Sequence, residues 1–393
     1  MKRLSWIAVG LLLAAPLLAA CGTESTKPSG SAGEGADPRS LSVESSDDAC
    51  EVSASEAPAG TISFEVTNTG SQVTEFYLLA EDGLRIVAEV ENIGPDITRP
   101  LTANVPAGSY LTACKPGMTG DGIRSEFTVA ESDEDVEVRS DEQDLVAQAQ
   151  ANYAAYVQDQ SDQLMVKTRE FVELYKAGDQ DDEARALYAD ARTHWERIET
   201  VAESFGDLDP KMDAREADLE PGQKWTGWHL IEKDLWPARA GKYRSLTAQE
   251  RVTYADDLLA NTETLDGRIQ ELTFTVDQIA NGSRGLLEEV ATGKVTGEEE
   301  YWSRTDLWDF QANVDGANVG FDGVRPLLEQ KDPELADELE TRFAELQVLL
   351  DAQRTDDGFR YYDELTGDEV KALSDAVNAL SEPLSRLTAA VLS

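Results

Sequence analysis

The hydrophobic rhythm of this chain changes once, near Arg139, and that change divides what it can fold into. From about Ala49 to Val138 the apolar residues come in short β-type runs: Thr61-Ile62-Ser63-Phe64-Glu65-Val66, Glu75-Phe76-Tyr77-Leu78-Leu79, Leu84 to Val90, Ser109 to Cys114, and Glu126-Phe127-Thr128-Val129. Turn formers such as Pro58-Ala59-Gly60, Asn68-Thr69-Gly70 and Pro106-Ala107-Gly108 separate them, which is the spacing of a small sandwich. Beyond Arg139 the period becomes helical; over Asp181 to Ser204 it is carried by Ala184, Leu187, Ala191, Trp195, Ile198 and Ala202. Helices are expected at 143–177, 181–204, from Trp225 to Pro237, and near 247–280, 283–293, 298–329, 333–354 and 367–392. The expected fold is therefore multidomain: a small all-β sandwich over 48–139, then an all-α helical bundle over 140–393.

Ahead of the sandwich, Met1-Lys2-Arg3 precedes an apolar run from Leu4 to Ala20 and then Cys21-Gly22. The tetrapeptide Leu18-Ala19-Ala20-Cys21 resembles a bacterial lipobox, which implies a signal peptide over 1–20 and lipidation of Cys21. Residues 21–47, dominated by Ser, Gly, Thr, Pro and acids, read as a flexible tether. With 34 Lys+Arg against 77 Asp+Glu the net charge is −43, which sets nucleic acid aside as a partner and favours cations, though much of it serves solubility.

Two cysteines remain, Cys50 and Cys114. In an exported protein they are most simply a disulfide; the alternative is a metal site using both thiolates with Glu75 or Met118. Cys114-Lys115-Pro116-Gly117-Met118 sits where a cupredoxin-like domain would carry its copper loop. No histidine precedes His194, however, so a blue-copper centre of two His, a Cys and a Met is excluded.

One of the two histidines in the chain lies in Trp225-Thr226-Gly227-Trp228-His229-Leu230-Ile231-Glu232-Lys233-Asp234-Leu235-Trp236. At helical spacing His229 and Glu232 share a face with Trp225, Trp228, Leu235 and Trp236, so imidazole and carboxylate point into an apolar stripe and need partners. Glu196 and Glu199 stand three apart on the preceding helix, where the plainer reading is a solvated face with pairs such as Arg192/Glu196. Asp207, Asp209, Asp213 and Asp218 crowd the intervening loop. One histidine with several carboxylates is a donor set suited to iron.

These residues carry a resemblance. Trp195-Glu196-Arg197-Ile198-Glu199 through Asp209-Pro210, Gly227 to Lys233, Thr296-Gly297-Glu298-Glu299 and Thr305-Asp306-Leu307-Trp308-Asp309-Phe310-Gln311-Ala312-Asn313 are similar to the EfeO/EfeM family of imelysin-like proteins, the extracytoplasmic components of Efe-type iron-uptake systems. The resemblance implies metal ligands at His229, Glu232, Glu196, Glu199 and Asp213, with a later acid at Glu298 or Glu299. In the sandwich it implies paired Cys50 and Cys114, with Glu75 as an extra ligand. It further implies a lipid-anchored carrier that binds Fe3+ or Fe2+, with copper or zinc as alternative metals, and hands its cargo to a membrane permease alongside a haem-dependent dye-decolourising-type peroxidase. His194 replaces an aromatic of the family pattern and is expected at the surface.

Two rival readings follow from the same residues. A zinc peptidase needs H-E-x-x-H, but here Leu230 stands at the glutamate position and Lys233 at that of the second histidine. A non-metal binding surface would use Trp225, Trp228 and Trp236, of which at least two are expected in the core. With only two histidines in the chain a peptidase would need an unusual ligand set, and the reading taken is a binding protein, not an enzyme.

Overall fold

The computed structural model describes residues 37–393 except 82, 84–85, 119–121, 133–139, 220–221 and 357, with the side chains of 140 and 141 also left aside. Cys21 and the expected signal segment lie outside the described residues. The strands are β1 Ser40–Ser45, β2 Cys50–Val52, β3 Glu56–Pro58, β4 Gly60–Asn68, β5 Thr74–Ala80, β6 Ile86–Ile93, β7 Thr98–Val105, β8 Gly108–Cys114 and β9 Ile123–Ala130. They form two sheets, in the orders β2-β1-β4-β7 and β3-β9-β8-β5-β6. Inward residues from both sheets meet in one core, where Phe64 packs against Phe76 and Phe127 at ring-centroid distances of 5.2 and 5.7 Å.

Strand β1 falls in the stretch expected to be tether. Its Ser-Leu-Ser-Val-Glu-Ser sequence alternates exposed and buried, with Leu41 and Val43 turned inward, and it pairs in parallel with β4. Two apolar residues in a polar setting were enough, because alternation alone fixes which face is buried.

Cys50 and Cys114 are disulfide-bonded, with Cα atoms 5.4 Å apart, and join a strand of one sheet to a strand of the other. The thiolate metal site with Glu75 and Met118 is therefore not what the sandwich contains. Cys114 pairs across the ladder with Phe76, so it shares the inward face of that residue, while Glu75 points out of the opposite face. There Glu75 accepts a hydrogen bond from the Tyr77 hydroxyl at 2.6 Å and lies 3.7 Å from Lys115 Nζ. Met118 is exposed.

The helical part runs α1 Ser140–Ala177, α2 Asp181–Glu196, α3 Glu199–Glu203, α4 Asp209–Met212, α5 Trp228–Leu235, α6 Ala248–Ile269, α7 Val276–Thr292, α8 Asp306–Lys331, α9 Pro333–Asp351, α10 Gly367–Leu384 and α11 Leu387–Leu392. No helix of the described residues is long and apolar enough to cross a membrane. Several expected helices are divided. The break within 247–280 follows Ile269, and α7 restarts at a capping box in which Gln278 accepts from the Thr275 backbone N–H at 3.0 Å. Gly282, which falls between the helices expected at 247–280 and 283–293, lies inside α7. The stretch 181–204 breaks at Arg197–Ile198, where Gly316 of α8 comes so close that an added Cβ would stand 2.4 Å from the Arg197 carbonyl oxygen. Residues 298–305 precede α8 instead of beginning it, which leaves them free to fold over the bundle.

Sandwich and bundle are joined by polar contacts along α7 and at the end of α3. The Asn104 N–H donates to Asp277 at 2.8 Å, Arg284 donates to the Glu89 carbonyl at 3.1 Å, Arg99 meets Glu288 at 2.7 Å, and the Ile86 N–H donates to the Ser204 carbonyl at 3.0 Å.

Candidate metal centre

Gly227 sets the position of α5. Its φ is +89°, and a Cβ there would lie 2.1 Å from the Met212 carbonyl oxygen, so only glycine lets the start of α5 press against the end of α4. The helix consequently begins at Trp228, and Trp225 stays outside it, its indole N–H donating to the Ala214 carbonyl at 2.7 Å. Trp228 is fully buried and Trp236 is partly buried against the core. The contact with α4 also delivers Asp213, the residue after Met212, to the face of His229.

His229 Nε2 lies 3.5 Å from Asp213 Oδ1 and 3.4 Å from Glu299 Oε1, fully buried and without a hydrogen-bond partner. On the other side of the ring, Nδ1 is 3.4 Å from Glu232 Oε2 and 3.9 Å from Glu300 Oε1. Glu232 is clamped to the loop before α8 because its Oε1 accepts the backbone N–H groups of Trp302 at 2.7 Å and Ser303 at 2.6 Å. Asp213 is held from behind by the Trp195 indole N–H at 2.9 Å. Glu300 accepts from the Ser303 hydroxyl at 2.7 Å and the Tyr188 hydroxyl at 3.2 Å.

Glu196 and Glu199 close the other side of the array. Together with Asp213 and Glu299 they offer carboxylate oxygens that all lie within 4.8 Å of one another. The Asn313 side-chain amide of α8 fixes the break between α2 and α3, donating to the Glu196 carbonyl at 2.7 Å and to Glu199 Oε2 at 2.9 Å. Reading Arg192/Glu196 as a solvated pair is overturned: both are completely buried. The Arg192 guanidinium touches Glu196 and Asp213 and stands 2.7 Å from Glu300, 3.5 Å from Asp309 and 3.8 Å from Glu299. Lys294 Nζ, also completely buried, is 3.1 Å from Glu196 Oε2 and 2.9 Å from Glu199 Oε2.

Of the residues expected from the sequence, the fold brings together His229, Glu232, Glu196, Glu199 and Asp213. It separates the two late glutamates, turning Glu299 inward while Glu298 is exposed. Glu300, Arg192 and Lys294 were not anticipated. The run of three successive glutamates was the signal for Glu300, whereas nothing in the spacing marked the two cations as buried. Asp207 and Asp218 of the acidic loop bind Arg268 and Arg215 instead, at 2.5 and 2.6 Å. His194, expected at the surface, is half-buried; its Nδ1 lies 2.9 Å from Gln160 Oε1, and burial with the nearby Arg197 lowers its pKa to about 4.

The electrostatics sort the acids into two groups. Burial raises Glu196 to about 8, reinforced by Glu199; burial likewise raises Glu199 to about 7, and Glu232 to about 7 with Glu300 adding to it. Asp213 and Glu299 go the other way: burial opposes their charge, but Arg192 and His229 hold Asp213 below its ordinary value, and Lys294 and His229 hold Glu299 well below. For His229, burial and Arg192 disfavour the charged ring, yet Glu232, Glu299 and Asp213 outweigh them and raise its pKa well above the ordinary value.

The spacing suits a cation. Ligand bonds of about 2.1 Å at tetrahedral or octahedral angles put neighbouring donor atoms roughly 3.0–3.4 Å apart, close to the 3.4 and 3.5 Å separations around Nε2. An imidazole nitrogen with carboxylate oxygens fits a transition-metal ion such as iron better than calcium or magnesium, which prefer oxygen alone. A cleft of about 530 Å³ leads along this array, lined by Glu199, Asp213 and Glu299 on the bundle side and by Tyr77 and Lys115 of the sandwich.

The model of the imelysin family, peptidase family M75, matches residues 149–387. The iron uptake system component EfeO of Yersinia pseudotuberculosis is 38% identical over 357 residues, spanning 90% of this chain and 91% of its own length. The protein of that name from Escherichia coli O157:H7 is 37% identical over 355 residues, again 90% and 91% of the two chains.

Proposed function

The chain belongs to the imelysin family and, within it, to the EfeO/EfeM iron-uptake proteins, and from that premise we propose that it captures iron at the His229 array and passes it to a membrane permease. The observation that supports this most directly is His229 Nε2, a buried nitrogen without a hydrogen-bond partner that faces Asp213 and Glu299 at cation-ligand spacing. His229, Asp213 and Glu299 would hold the ion, with Glu232, Glu300, Glu196 and Glu199 around it. Iron is the cargo, so the chain's own task is to lose protons, exclude water and orient donors.

The protein works outside the cytoplasm, lipid-tethered through Cys21. The lipobox-like tetrapeptide supports the tether, and the Cys50–Cys114 disulfide fits an oxidising compartment. A permease and a haem-dependent peroxidase are the partners that the family resemblance suggests. The chain acts as a carrier and not as a peptidase: Lys233, at the place of a second zinc ligand, is an ammonium paired with Glu216 at 2.5 Å.

Anaerobic calorimetric titration with ferrous iron, and with copper and zinc for comparison, tests the reading on the wild type and on His229→Ala/Glu232→Ala. Iron binding by the wild type and its loss in the double variant are expected; equal binding by both, or by neither, overturns the assignment. Incubation with casein, with and without chelator, is expected to leave the substrate intact.

A further inference from the structure

The array around His229 has two unlike halves. Arg192 reaches both; one contains the nitrogen without a partner, and the other also holds a lysine ammonium. Lys294 sits in the turn after α7 with its side chain fully buried, and its ammonium lies 3.1 Å from Glu196 Oε2 and 2.9 and 3.1 Å from the two Glu199 oxygens. These carboxylates belong to the same set of closely spaced oxygens as Asp213 and Glu299. We propose that Lys294 is a tethered competitor for the cargo, its ammonium filling the Glu196/Glu199 half of the array until an arriving iron ion displaces it.

The inference rests on the iron-binding reading and adds a residue that sets affinity. A buried cluster of acids must be neutralised by protons or by positive charge, and before loading part of that charge comes from the chain itself. Arg192 and Lys294 both supply it, but in different ways. The Arg192 fork is fixed by Glu196, Asp213, Glu299, Glu300 and Asp309 together, so it belongs to the frame. Lys294 is a point charge on a flexible stem, bound to the two glutamates alone among the ion pairs described. An ion at His229, Asp213 and Glu299 can take oxygens from Glu196 or Glu199 only if the ammonium leaves them. An ammonium that stays repels the ion. Either way Lys294 weakens iron binding, which a carrier needs if it is to release its cargo.

The test compares the wild type with Lys294→Met, which keeps the stem and removes the charge, and with Lys294→Arg, which keeps the charge. Each is titrated anaerobically with ferrous iron at about pH 8, where protons compete least. Lys294→Met is expected to bind iron at least tenfold more tightly than the wild type, to melt lower without metal, and to gain more in melting temperature on loading. Lys294→Arg is expected to bind no more tightly than the wild type. Equal or weaker binding by Lys294→Met, with the wild type binding iron, overturns this proposal alone; no binding by the wild type overturns the functional reading and this proposal with it.

A measurement on the wild type serves if Lys294→Met does not fold. Acylation of lysines, read by mass spectrometry, is expected to leave Lys294 protected without metal and to label it several-fold faster when ferrous iron is bound. Unchanged labelling on loading overturns the displacement.

Discussion

Glu299 Oε1 stands 3.4 Å from His229 Nε2, while its neighbour Glu298 is exposed to solvent. Successive residues thus take opposite surroundings, and only one of them is placed to share a cation with the imidazole. Glu299→Gln should weaken ferrous iron binding by tenfold or more, about 1.4 kcal/mol, because it removes a charged donor and keeps the shape. Glu298→Gln should leave affinity unchanged. Parallel titration of the two variants checks both statements.

Gly227 carries the contact that brings Asp213 to His229. Gly227→Ala must place a methyl group 2.1 Å from the Met212 carbonyl oxygen at a φ of +89°. A loss of about 2–4 kcal/mol is expected from strain and the separation of α4 from α5. Urea unfolding of the metal-free variant measures it, and iron affinity should fall with it because Asp213 moves.

Protons and iron compete for the same carboxylates. Burial holds Glu196 at about 8 and Glu199 and Glu232 at about 7, against an ordinary 4.5. A raised folded pKa contributes stability that is complete below the ordinary value and lost as pH climbs through the raised one. His229, also raised, acts in the same sense, while Asp213 and Glu299, held low, lose their contribution only under more acid conditions. The metal-free protein should therefore melt at progressively lower temperature as pH rises from about 5 to 8. Glu196→Gln should flatten that slope in a calorimetric pH series.

Iron affinity should run the opposite way, strengthening over the same interval because binding must displace the protons that the carboxyls and the imidazole hold. Titrations at successive pH values read this directly. A flat profile would remove His229, Glu196 and Glu199 from the ligand set.

The Cys50–Cys114 bond ties the two sheets of the sandwich together, and the array around His229 is built from the bundle. Cys50→Ser/Cys114→Ser should lower sandwich stability by about 2–4 kcal/mol. Ferrous iron affinity should stay within about twofold of the wild type, a change of roughly 0.4 kcal/mol.

The order of sandwich and bundle was legible in the sequence because it depends on period, and period is local. The alternation at Thr61 to Val66 and the helical recurrence from Ala184 to Ala202 need no knowledge of distant residues. The pairing of His229 with Glu232 was legible for the same reason, since three residues on a helix fix a common face. Spacing could not say that the Arg192/Glu196 pair is buried, that Glu299 and not Glu298 turns inward, or that Lys294 reaches Glu196 and Glu199. Those facts depend on where α2, the loop before α8 and the turn after α7 meet. Local sequence determined the elements and the donor types; the packing of distant segments, set by close approaches such as Gly227 to Met212 and Gly316 to Arg197, decided which donors share a point. The reason is physical: burial, and with it charge pairing and protonation, is a property of what surrounds a side chain, and most of those surroundings are contributed by residues far away along the chain.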